Sequence, residues 1–213
     1  MSQQYPPKIR LRIESLSDLV FGLALSIGSL TLIGRIPTTQ AELVGDIAQF
    51  AFSFLILIAM WTGYTRIIMI FPIESSLSFT LNIALLFCVS IEPFLFYVLR
   101  ASLSFIAFST AVYGLDIGGM YLLLATLTVV LLNETQREGR NIDSGLMNNF
   151  RWRLLGYALG GMIFLVSSLP YFWVNLPVIG TLRMDMWVVA FVLFFFSRSV
   201  LGRTSGRNRK LAH

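Results

Sequence analysis

The stretch Arg12-Ile-Glu-Ser-Leu-Ser17-Asp18 runs without a break into Leu19-Val-Phe-Gly-Leu23-Ala-Leu-Ser26-Ile27-Gly-Ser-Leu30. A charged, hydroxyl-bearing segment therefore turns apolar within one helical turn. An acid that enters a bilayer is costly unless it is partnered, and at about 100° per residue Arg12 and Asp18 lie about 240° apart on a helix. Each of the two looks to another part of the protein for its partner, unless Asp18 simply caps the helix N-terminus, where a carboxylate is favourable. Leu23, Ile27 and Leu30 follow the i, i+4, i+7 spacing of one narrow apolar stripe. Asp18 lies about 140° from Leu23 on the same wheel, so the two features meet different surroundings. A stripe facing lipid makes an ordinary membrane helix. If copies of the helix surround an axis, the same residues become rings of bulky apolar side chains, which gate by dewetting. Ser26 stands close to that stripe, where its hydroxyl can face a partly dehydrated cation or bond back to its own helix.

Composition sets the solvent. The chain has 213 residues, 56% hydrophobic and 13% charged, and a mean hydropathy of +0.75. Soluble domains carry about a quarter charged residues, so this balance points to an integral membrane protein. The formal net charge is +5, but its cations cluster at the ends of apolar runs and in the C-terminal segment Arg203 to Lys210. That distribution fits topology and anionic headgroups, with no nucleic acid as partner. The single histidine is His213 and the single cysteine is Cys88, inside an apolar run. Histidine catalysis, a metal cluster and a disulfide all lack their residues, and no phosphate-binding glycine loop is present. The chain reads as no enzyme, with no cofactor and no bound metal beyond a permeating ion.

Apolar windows place six spans at Leu16 to Ile33, Ile47 to Tyr64, Leu77 to Leu99, Phe108 to Leu132, Leu154 to Trp173 and Met184 to Phe196. The last is short, with Arg183 and Arg198 expected to snorkel at its ends. Ser102 to Phe108 can form a surface turn before the fourth helix. Six spans put both termini on one side. That side gathers Lys8, Arg10, Arg12, Arg66, Arg137, Arg140, Arg151, Arg153 and every cation from Arg198 onward. Only Arg35, Arg100 and Arg183 fall opposite. The positive-inside rule then makes both termini cytoplasmic. The expected organisation is a cytoplasmic segment 1–15, a six-helix all-α membrane domain 16–200 and a basic cytoplasmic tail 201–213. Trp61, Trp152, Trp173 and Trp187 all fall near helix ends, as in an interfacial aromatic belt.

The run Arg-x-x-x-Leu-Ser-Asp at Arg12 to Asp18, with the helix that follows, resembles the Arg-x-x-x-Phe-Ser-Asp signature of the transmembrane protein 175 family of potassium channels. Leu16 stands where the family has phenylalanine. Trp61, Asn82-x-x-Leu85-Leu86 and Pro93-Phe94 are also similar to that family, over roughly the first half of the chain. Shortly after the second-helix tryptophan, where members often carry histidine, this chain has Gly63 and Tyr64. The resemblance implies a six-helix subunit with cytoplasmic termini, assembled with itself as a homotetramer in a prokaryotic inner membrane, with four first helices lining a potassium-permeable pore. It implies that Leu23, continued by Ile27 and Leu30, is the constriction and that Ser26 is the hydroxyl linked to potassium preference. Arg12, Ser17, Asp18, Trp61 and Asn82 would form the helix-packing network. The partners implied are potassium ions, the lipid bilayer and further copies of the chain.

The main rival is a small secondary transporter or proton-coupled carrier. Glu92 precedes Pro93 in the third span and Asp116 lies early in the fourth, and acids inside a membrane are functional candidates. Both fall toward the outer ends of their helices, where interfacial water is expected to reach them. Pro93 can also break its helix, as carrier substrate sites require.

Overall fold

The threonine pair before the second span fixes where it starts. Thr39 Oγ1 accepts from the Glu42 amide at 3.2 Å, while Glu42 Oε2 accepts from the Thr38 amide at 2.8 Å and the Thr38 hydroxyl at 3.0 Å. This reciprocal arrangement satisfies amides that the first turn leaves without partners. The helix ends at Ile70, where Phe71 is extended in front of Pro72, since a residue before proline avoids the helical region. The next helix starts on a mirrored pair of serines, with the Ser78 amide donating to Ser75 Oγ at 3.0 Å and the Ser75 amide to Ser78 Oγ at 3.1 Å. The same Ser75 hydroxyl donates to Glu134 from a helix far along the chain.

The computed structural model describes residues 7–30, 32–33, 36–71, 73, 75–101, 105–137, 139, 144–176 and 180–192. Its elements are α1 (Pro7–Leu30), α2 (Gln40–Ile70), α3 (Ser76–Ala101), α4 (Ile106–Arg137) and α5 (Ser144–Ser167). A 3-10 turn (Pro170–Phe172) and a two-stranded antiparallel hairpin, β1 (Asn175–Leu176) with β2 (Gly180–Thr181), lead into α6, whose described part is 182–192. Among the described residues, four helices are long and apolar enough to span a membrane: Leu11–Leu30, Gln40–Ile70, Ser76–Leu99 and Ile106–Arg137. α1 packs on α2 and α3, α3 on α4, and α4 on α5. The expected tail 201–213, the end of the sixth span at Phe196 and Arg198, and the first six residues lie outside the described residues.

Several expectations are corrected. The helices overrun the apolar windows, because amphipathic turns prolong a helix past the hydrocarbon: α2 has 31 residues and α4 has 32, or about 46 and 48 Å at 1.5 Å per residue. The fifth helix stops at Ser167 instead of reaching Trp173, with Pro170 opening the 3-10 turn. The small hairpin is a short connection within an otherwise helical fold. Pro93 does not break α3, which continues to Ala101.

Arg183 does not snorkel. It is 1% exposed, and its guanidinium spends its donors on Ser167 O at 2.8 Å, Ala107 O at 2.7 Å, Thr110 Oγ1 at 2.6 Å, Ser168 O at 3.2 Å and Leu169 O at 3.1 Å. Carbonyls at the end of α5 have no helical partner, so a cation there satisfies them and suits the helix dipole. Trp173 covers the guanidinium at 5.2 Å. Trp187 is likewise absent from any interfacial belt. It is 4% exposed, donates from Nε1 to Ser167 Oγ at 2.7 Å and packs between Tyr113 and Phe164. These rings join α4, α5 and α6 in one aromatic core, extended by Phe96 of α3.

The α4–α5 crossing depends on two glycines. A Cβ on Gly118 would lie 3.0 Å from Gly161 O, and one on Gly161 would lie 3.1 Å from Gly118 O. Backbones this close are how membrane helices gain packing energy without a hydrophobic drive. Gly161→Val should therefore destabilise the detergent-solubilised protein by roughly 1–3 kcal/mol through overpacking. Thermal unfolding followed by tryptophan fluorescence checks this, with Gly156→Ala, where a Cβ meets nothing within 4 Å, as the neutral control.

Candidate pore-lining helix and its polar anchor

α1 divides into two edges. Ile13, Ser17, Phe21, Ala24 and Gly28 are buried against the neighbouring helices. Leu23, Ile27 and Leu30 are 50%, 49% and 59% exposed, about 110° round the helix from the buried set. Leu16 and Leu19 prolong the uncovered edge toward the start of the helix.

The buried edge is organised by one hydroxyl. Ser17 Oγ donates to Ile13 O at 2.9 Å, as a serine inside a helix does when it has one free hydrogen. Its lone pairs then accept from Tyr64 Oη of α2 at 2.7 Å and from Asn82 Nδ2 of α3 at 3.5 Å. Ser17, Asn82 and Tyr64 are all buried, at 0%, 0% and 2%. Beside them Phe21 packs on the Tyr64 ring with centroids 5.6 Å apart. One residue on, Trp61 Nε1 donates to Asp18 Oδ1 at 3.1 Å, so Asp18 is joined to α2 and does more than cap its own helix. Arg12 is exposed and has no hydrogen bond or ion pair among the described residues. Tyr64 is the member that sequence reading missed. Its position three residues after Trp61, on the same helical face, was the available signal.

Ser26 is exposed, and its hydroxyl donates to Gly22 O at 2.8 Å. Of the two options open in the sequence, the bond back to its own helix is the one seen. It uses the hydrogen and leaves the oxygen lone pairs outward.

A second polar cluster lies deeper, between α2, α3 and α4. Glu92 is 0% exposed, and its Oε1 accepts from Ser53 Oγ at 2.5 Å and Tyr113 Oη at 2.9 Å. This corrects the expectation that interfacial water reaches it: the α3–α4 packing and the aromatic core close over it. Glu92 Oε2 and Asp116 Oδ2 are both buried without a hydrogen-bond partner. Among the described residues, no group of three or more metal-ligating side chains is brought together.

A bundle with four spanning helices and an apolar, half-covered first helix defines an integral membrane protein. The profile of a family described as the endosomal/lysosomal potassium channel TMEM175 matches residues 12–93, which carry the Ser17–Asp18–Trp61–Asn82 network. The fold is similar to the crystal structure of a lysosomal potassium-selective channel TMEM175 homolog from Chamaesiphon minutus. The TM-score is 0.66 at 20% identity, over 91% of this chain and 98% of that one. It is also similar to a variant of the potassium channel MtTMEM175 in complex with a Nanobody-MBP fusion protein, with a TM-score of 0.59 at 18% identity, over 97% of this chain and 95% of that one. No curated protein matches. The resemblance to the TMEM175 family thus holds in sequence over residues 12–93 and in fold over nearly the whole chain.

If the Ser17 hydroxyl is the joint between the helices, Ser17→Ala and Tyr64→Phe should not be additive. A double-mutant cycle read by thermal unfolding should give a coupling of about 0.5–1.5 kcal/mol. Additive losses would show that the two hydroxyls act separately.

Proposed function

We propose that this chain is one subunit of a homotetrameric, potassium-permeable cation channel in a prokaryotic inner membrane, with both termini cytoplasmic and four copies of α1 around the pore. The observation that carries the reading is the division of α1. Its polar edge is joined to α2 and α3 through Ser17 and Asp18, while the Leu23, Ile27 and Leu30 edge is left about half uncovered. A single helix cannot enclose a pathway, so several copies must meet, and closed symmetry makes a ring. The family profile over residues 12–93 and the two potassium channels of the same fold support it further.

In this ring Leu23 forms the narrowest layer and Ile27 and Leu30 continue it. Apolar layers hold up an ion by excluding its hydration shell, so conduction is passive and limited by wetting. Ser26, with its hydrogen committed to Gly22 O, presents an oxygen to a partly dehydrated potassium ion. The Ser17 hub and the Trp61–Asp18 bond hold α1 at a fixed rotation, so the apolar edge stays on the axis.

A carrier reading draws on the unpaired buried oxygens of Glu92 and Asp116. The two separate in proteoliposomes. For the channel, Leu23→Ala raises potassium conductance severalfold, Ser26→Ala shifts the bi-ionic potassium/sodium reversal potential toward zero, and Glu92→Gln leaves flux in place. Abolished flux in Glu92→Gln together with an unchanged Leu23→Ala would decide for the carrier.

A further inference from the structure

Where the end of α2 meets the start of α5, a cavity of about 290 Å³ opens, lined by Arg66, Met69, Ile70, Asn149, Phe150 and Arg153. The structure assigns this cavity as a binding site for a phosphate group, which the surroundings favour as the headgroup of an anionic phospholipid. Arg66 and Arg153 line it from different helices, and among the described residues that line it there is no carboxylate. Guanidinium forks match phosphate oxygens, and two of them on one cavity can grip a single phosphate from two sides. With five N–H donors, each guanidinium can hold an anion alongside another partner. Asn149 adds an amide. Phe150, 3% exposed, forms a rigid floor, packed edge-on against Phe71 with centroids 5.0 Å apart. Met69 and Ile70, 74% and 42% exposed, form an apolar rim on which acyl chains can lie.

Position favours a lipid. α2 is about 46 Å long, against hydrocarbon of about 30 Å, so its last turns emerge at the membrane surface. Basic cavities between membrane helices at that level suit anionic headgroups. The volume lies at the lower bound of the ~300–1,000 Å³ typical of small-molecule pockets, enough for a headgroup with its tails outside. The site involves neither α1 nor the Glu92 cluster, so it stands whether the protein is a channel or a carrier.

The test uses delipidated full-length protein and native mass spectrometry with phosphatidylglycerol or phosphatidylcholine. The wild type should retain phosphatidylglycerol in preference to phosphatidylcholine, whose choline cation would face the guanidiniums. Arg66→Gln with Arg153→Gln should reduce that retention by at least about tenfold, the lower bound for losing charge-assisted contacts. Arg151→Gln, next to the cavity in sequence but outside its lining, should change nothing. Met69→Trp, which fills the mouth and keeps both arginines, should reduce retention as well and serves if the double variant does not fold. Displacement of the lipid by excess inorganic phosphate from the wild type assigns the site to soluble phosphate-bearing ligands; no displacement assigns it to lipid. Undiminished retention in the double variant or in Met69→Trp, or an equal loss in Arg151→Gln, overturns the site.

Discussion

Hydrocarbon offers no hydrogen bonds, so a polar group inside this bundle is costly unless it finds a partner within the protein. The Ser17 hydroxyl meets that constraint at the place where three helices join. It donates once, to its own helix, and accepts from α2 and α3. Because the tyrosine and the asparagine point at one oxygen, rotating α1 would strand two buried donors together. The rotation of α1 is thereby fixed by a polar contact rather than by apolar packing, which in lipid discriminates poorly between orientations.

The other end of the molecule obeys the same rule with a charge. Arg183 faces carbonyls and one hydroxyl instead of a carboxylate, and its five N–H groups match the acceptors that the ends of α4 and α5 present. Lysine has three donors and no planar fork, so it would leave carbonyls unmatched there. Around this point Trp187 and Ser167 join α6 to α5, while Gly118 and Gly161 let α5 approach α4. Polar satisfaction and small residues therefore divide the labour along the bundle.

The sequence made α1 legible because its information is periodic: apolar residues at i, i+4 and i+7 define an edge whatever lies opposite. That Asp18 needs a partner was legible from helix geometry, but the set of Ser17, Asp18, Trp61 and Asn82 was legible only through resemblance. Tyr64 was signalled only by its spacing from Trp61, since a tyrosine in an apolar run does not show which hydroxyl it meets. Arg183, Trp187 and Glu92 were misplaced for a common reason. Hydropathy windows assign polar residues near helix ends to the interface, but tertiary partners can hold the same residues inside. Helix ends were misplaced in the sequence: the second apolar window began at Ile47, past the capping residues Thr38 and Thr39 that start α2. The fifth window ran past Ser167 toward Pro170.

The uncovered Leu23 edge has a bearing on biogenesis. In water such a stripe would drive collapse or aggregation, but acyl chains solvate leucine as well as another leucine does. A newly inserted chain can thus complete its own internal bonding while its Leu23 edge rests in lipid under no thermodynamic pressure to hide it. Folding of the chain is thereby separate from any later association, which would join finished pieces able to part without unravelling.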